Sequence, residues 1–134
     1  QHNLIEKDFL SQIIYKGKMM YFLHIMLPRL SFADKFRFSS EQMIWVEDNE
    51  SAIWEFFINQ DLLFSNNENS FRSFINYAPF AKGMPNEAPG RVAYFIGYRI
   101  VEEYLLQNKI TFEQLIYLTD SRKFLSKSRY KPRK

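Results

Sequence analysis

At 134 residues, with 18% aromatic and 25% charged side chains, the chain has the size of one domain and too many rings for a disordered tail. It has no cysteine, which excludes disulfides and thiolate-held metals without deciding the compartment. The net charge of +3 is unevenly spread: residues 122–134 hold seven bases and no acid, while the rest carries 11 basic against 15 acidic residues.

In chain order, Asn3 with Glu6 three residues on predicts a helix start, each side chain satisfying an end amide. Phe9, Leu10, Ile13, Ile14, Met20, Leu23 and Leu27 keep helical spacing until Pro28 stops it, giving a helix of ~20 residues. Gly17 falls inside that helix, where Ala is preferred. His24 shares a face with Gly17, Met20 and Leu27, which suits a hydrogen-bonded core histidine better than a ligand. The apolar run from Met19 to Pro28 is too short for the ~18 residues of a membrane span.

Ser31 to Phe38 reads as a linker pinned by Phe32, Phe36 and Phe38. Ser39 with Gln42 is a capping box that opens the next helix, along which Met43, Val46, Glu50, Ile53 and Phe57 form one stripe with Trp54 beside it. Glu50 is the anomaly, a carboxylate on the inward face. It needs a partner there, such as an Arg, a Lys or backbone amides; a ligand role, or exposure through helix rotation, are the other readings. Ser65 to Ser70 is the most polar run and reads as a loop, followed by a short helix from Phe71 to Tyr77.

A loop with Pro79, Pro85 and Pro89 then leads into the stretch around which the rest is expected to pack. Pro89 fixes one backbone angle ahead of Gly90, so the chain turns sharply there and enters a helix at Val92. Val92, Ile96, Ile100 and Tyr104 recur every fourth residue, with Phe95, Tyr98, Val101 and Leu105 on flanking faces, so this helix has neighbours all round over its first half. Gly97 in its interior points to close approach of another backbone. Arg99, Glu102 and Glu103 mark the side that meets water or one another, with Arg99 and Glu103 spaced to pair. Arg91 and Glu102 are the candidate binding groups; the competing reading is a core helix with a solvated edge. Thr111 with Gln114 caps a short helix, Phe112 to Leu118, and Asp120 caps a last one ending near Lys127. Ser128 to Lys134 reads as a basic, solubilising tail; its Tyr130 and cations give nucleic-acid or anionic-membrane binding only as a distant alternative.

The sequence contains no H-E-x-x-H, no Gly-rich phosphate loop, no G-x-S-x-G and no cysteine nucleophile. With only His2 and His24 available, a zinc site from this chain alone would have to be mostly carboxylate. The expectation is therefore an all-α fold, a single-domain bundle of about four to six helices over residues 1–127 with a tail at 128–134, and no metal or cofactor. Gln1-His2 is an odd start, and the chain is expected to be the C-terminal part of something longer.

Several strings, in order, resemble the C-terminal part of the gliding-motility lipoprotein GldB family of Bacteroidetes. They are IIYKGKMMYFLHIMLP (Ile13 to Pro28), EQMIWVEDNESAIWEFFI (Glu41 to Ile58), LLFS (Leu62 to Ser65), FINYAPFAKG (Phe74 to Gly83), APGRVAYFIGYRIVEEYL (Ala88 to Leu105) and KSRYKP (Lys127 to Pro132). The combination of N-E-x-x-I-W at Asn49 to Trp54, A-P-F at Ala78 to Phe80 and P-G-R at Pro89 to Arg91 is specific. The resemblance implies a cell-envelope lipoprotein on the periplasmic side, anchored through a cysteine outside this chain and associated with gliding motility and type 9 secretion. That family is in turn distantly similar to predicted zinc-dependent peptidases, in which a helix after H-E-x-x-H supplies a third ligand from E-G-x-A. The corresponding place here is Lys16-Gly17-Lys18-Met19, so Lys16 stands at a degenerate ligand position, where an ammonium repels Zn²⁺.

Two functions follow. In one, the chain is a non-catalytic, zincin-like domain that docks on envelope proteins of the gliding or type 9 secretion apparatus, with Pro89, Gly90 and Arg91 as contacts. In the other, it is the C-terminal half of a zinc-dependent hydrolase, with Glu50 or Glu102 near a site completed by residues upstream.

Overall fold

The computed structural model describes residues 8–76, 81–85 and 87–133, and these are helical without strands. Eight helices appear among them: α1 (Phe9–Met26), α2 (Phe32–Phe36), α3 (Ser40–Asp48), α4 (Glu50–Asn59), α5 (Glu68–Ile75), α6 (Val92–Gln107), α7 (Phe112–Ile116) and α8 (Ser121–Ser128). The all-α expectation holds, but its count of four to six was too low. Local capping cut the chain into shorter pieces than apolar spacing alone implied.

The expected start at Asn3 lies outside the described residues. Within them, Asp8 is the N-cap of α1, its carboxylate accepting from the Ser11 amide at 2.9 Å. The amides of Phe9 and Leu10 donate to the carbonyls of Ser65 (3.1 Å) and Leu63 (2.8 Å), so another stretch of chain takes the free end of this helix.

Residues 31–38 do not form a plain linker. Ser31 caps α2, Arg37 closes it in the left-handed region at φ 63°, and Phe36 and Phe38 are buried as anticipated. The Ser39–Gln42 capping box forms in full, but the helix it opens breaks at Asn49, whose side-chain amide donates to the Trp45 carbonyl at 2.8 Å. The inward stripe survives the break, with Met43, Val46, Glu50, Ile53 and Phe57 all buried. At α5 the polar run supplies the first turn: Asn67 caps the helix and Glu68 begins it, three residues earlier than expected. The Thr111–Gln114 box and the Asp120 cap form at α7 and α8 as expected.

The core is organised on α1 and α6. Both carry a glycine at their closest point, and a Cβ on Gly17 would overlap the backbone of Gly97, while one on Gly97 would overlap the Ile13 carbonyl oxygen. Glycine at these two positions is what lets the helix axes come this near. Around the crossing α6 is buried from Val92 to Val101 except at half-exposed Tyr94. Rings fill the remaining volume: Phe9 stacks on Phe71 (centroids 4.7 Å) and meets Phe57 edge-on (4.9 Å), and Tyr104 stacks on Phe124 (4.2 Å). His24 is half-buried, its Nδ1 2.9 Å from the Lys35 ammonium and its ring stacked 5.0 Å from Phe32, in keeping with a hydrogen-bonded histidine.

The first residues of the expected tail, as far as Tyr130, pack against the helices. The Asn108 side-chain amide donates to the carbonyls of Tyr104 and Lys127, both at 3.0 Å, which links the ends of α6 and α8. Ser128 is buried, its hydroxyl donating to the Leu125 carbonyl, and Arg129 turns the chain at φ 54° so that Tyr130 folds back onto Trp54.

Candidate functional site

Two clusters gather the residues singled out by sequence. The first is internal. The stripe of α3 and α4 brings Glu50 against α6, where Arg Nε of residue 99 donates to both carboxylate oxygens at 3.2 and 3.0 Å. The remaining guanidinium edges reach Glu102 (2.5 Å) and Glu103 (3.3 Å), one turn further along the same helix. Tyr130 completes the set from the C-terminal segment, its hydroxyl donating to Glu50 Oε2 at 2.7 Å. Glu50 and Arg99 are only 1% and 3% exposed, and each is satisfied by the others. Glu50 thus has the partner its position demanded. Arg99 pairs with Glu102 and Glu103 as its spacing implied, but it is buried rather than solvated, and among the described residues it is the cation ion-paired with Glu50.

Burial works against charge on Arg99, but the neighbouring Glu50 and Glu102 outweigh it and hold the guanidinium above its ordinary range. Burial and then the Glu50 carboxylate push the Tyr130 phenol well up from its ordinary 10.0. A phenol raised on folding contributes stability that is fully present below 10.0 and is lost as pH rises past it. Tyr130→Phe is therefore expected to be less stable by about 2 kcal/mol at pH 8, the worth of a hydrogen bond to a charged group. That gap should narrow above pH 10, as urea titrations at pH 8 and 11 would show.

The second cluster is at the surface, where α6 begins beside α1. Arg91 takes a left-handed conformation (φ 66°), and its amide donates to the Ser73 carbonyl at 3.2 Å. The expected turn spans Gly90 and Arg91 and the helix begins at Val92 as expected, with the left-handed conformation at Arg91 rather than at the glycine. Pro89 and Gly90 are buried, so of the Pro-Gly-Arg trio only Arg91 is half-exposed. Its guanidinium lies 4.0 Å from the centroid of Tyr94, one turn along α6. Lys16 of α1 lies 5.5 Å from that same ring and 5.7 Å from Tyr15. The described residues hold three ion pairs, and all of them go to Arg99, so Arg91 and Lys16 have no carboxylate partner among them.

The structure brings Glu50 together with Glu102, and Arg91 together with Lys16, but it keeps the two pairs in separate clusters. Sequence reasoning missed Tyr94, Tyr15 and the role of Tyr130. The available signals were weak: an aromatic one turn after Arg91, and a lone ring among the charges of the tail.

A zinc ion does not fit the described residues. Glu50 and Glu102 both accept from the Arg99 guanidinium, and Lys16 presents an ammonium to two aromatic rings. No group of three His, Asp or Glu among the described residues is arranged to hold a metal ion. No helix among them is long and apolar enough to cross a membrane.

A family model described as gliding motility protein GldB matches residues 1–132. No curated protein and no solved structure matches the chain.

Proposed function

This chain belongs to the gliding motility protein GldB family, and from that premise we propose that it is a non-catalytic docking domain of the cell envelope. It serves gliding motility and the type 9 secretion machinery through protein contacts, and it sits on the periplasmic side, held by a lipid attached outside the residues described. The observation that carries the reading is the division of charge. The carboxylates that a hydrolytic site would draw on, Glu50 and Glu102, are engaged by Arg99, whereas Arg91 and Lys16 face outward on aromatic platforms. Buried groups that are paired with one another are costly to separate and are not open to substrate, whereas cations on rings without a carboxylate partner among the described residues are suited to recognition.

In cells making the full-length protein, co-purification is expected to recover an envelope protein of the gliding or secretion apparatus. Arg91→Ala should reduce its yield severalfold without lowering the melting temperature. The competing reading, half of a zinc-dependent peptidase, predicts stoichiometric zinc in the full-length protein and chelator-sensitive peptide hydrolysis. Finding both would overturn the proposal.

A further inference from the structure

We propose that the outer face of α1, together with Lys16 and Arg91, receives an acidic amphipathic segment of another protein. The inference rests on the docking reading above and names the chemistry of the partner.

Helix α1 buries Phe9, Leu10, Ile13 and Met20 on one side. On the other it leaves Tyr15, Met19, Phe22 and Met26 41, 44, 51 and 60% exposed. Spacings of four, three and four place those side chains in one row along three turns, the pattern by which one helix receives the ridge of another. A row of large apolar groups this long, backed by a rigid helix pair, is more than scattered surface hydrophobicity.

Charge identifies the occupant. Between Asp8 and Asp34 the sequence holds no acid, and of the bases there Lys18 is engaged with the Leu118 carbonyl while Lys16 is not ion-paired among the described residues. Lys16 and Arg91 flank Tyr94 near the Tyr15 end of the row, with no carboxylate partner among the described residues. Stacking on the ring holds the guanidinium plane while leaving its donor edge open for a carboxylate. A second copy of this chain is a poor fit: a parallel two-fold pair sets Lys16 and Arg91 against their own copies, and an antiparallel pair sets them against the Met26 end, where the sequence carries no acid before Asp34. An acidic segment with apolar residues at matching intervals satisfies both the row and the cations.

The test places a photoreactive residue at Met19 of the full-length protein in cells, with Leu106, 72% exposed on α6, as the control position. The expected result is one protein adduct from Met19 and not from Leu106, mapped by mass spectrometry to a segment rich in Asp or Glu. Its yield should fall about tenfold in the Lys16→Gln/Arg91→Gln variant, whose melting temperature stays unchanged. A synthetic copy of that segment should bind about tenfold tighter than the same peptide with its acids changed to amides. The inference is overturned by an adduct of twice the chain's mass, a lipid adduct, a segment without acids, insensitivity to the double variant, or no adduct at Met19. If Leu106 captures the co-purified envelope protein and Met19 does not, the docking function stands and this face is wrong. If neither position captures it and co-purification recovers nothing, both fail.

Discussion

Replacing Arg99 with methionine is expected to destabilise the chain by about 3–5 kcal/mol, measured as a lower urea midpoint at unchanged slope. Among the described residues, the change removes the one cation paired with Glu50, a carboxylate 1% exposed, and leaves it the hydroxyl donor of Tyr130. It also leaves Glu102 and Glu103 side by side without their shared partner. Arg99→Lys should recover only part of the loss. One ammonium can meet Glu50 or the pair on its own helix, whereas the planar guanidinium meets all three at once. Glu50→Gln combined with Arg99→Met should cost clearly less than the two single losses together, since each removes the reason the other is costly. Additive losses would mean that the network is three independent contacts.

This network also shows how far the sequence could be read. The need for a partner at Glu50 was legible, because its place in the Met43–Phe57 stripe fixed its direction, and three caps, Ser39, Thr111 and Asp120, declared their helix starts. The identity of the partner was not, because Arg99 and Glu50 are brought together by tertiary packing that no local pattern encodes. The break at Asn49 was missed for a related reason: the apolar stripe continues through it, so periodicity saw one helix where the backbone makes two. Tyr130 was hidden by its neighbours, since the bases Lys127, Arg129, Lys131, Arg133 and Lys134 around it suggest a solvated tail. At the surface, Arg91 was found from the Pro-Gly-Arg string, and the turn forms there, but the left-handed conformation falls on Arg91 and not on Gly90. In that conformation the Arg91 amide donates to the Ser73 carbonyl, a contact distant in sequence that no local pattern shows.

Gly97→Ala is the second large effect expected. Helix propensity by itself would favour alanine by ~1 kcal/mol at this interior position. The structure predicts the opposite sign, because the new Cβ would overlap the Ile13 carbonyl and lie 2.9 Å from the Gly17 nitrogen. These are backbone atoms inside a helix and cannot rotate aside, so α1 and α6 must separate, at a cost of about 3 kcal/mol. Gly17→Ala meets the backbone of Gly97 in the same way and should cost a similar amount. The two substitutions force one and the same separation, so the double variant should lose markedly less than their sum. Thermal unfolding of the three variants decides it, and a rise in melting temperature for either single change would mean the helices are not held at the glycine crossing. The consequence reaches the surface as well: Lys16 adjoins Gly17 on α1, and Tyr94 lies one turn before Gly97 on α6. Loosening the crossing should therefore weaken partner binding, even in a variant that remains folded.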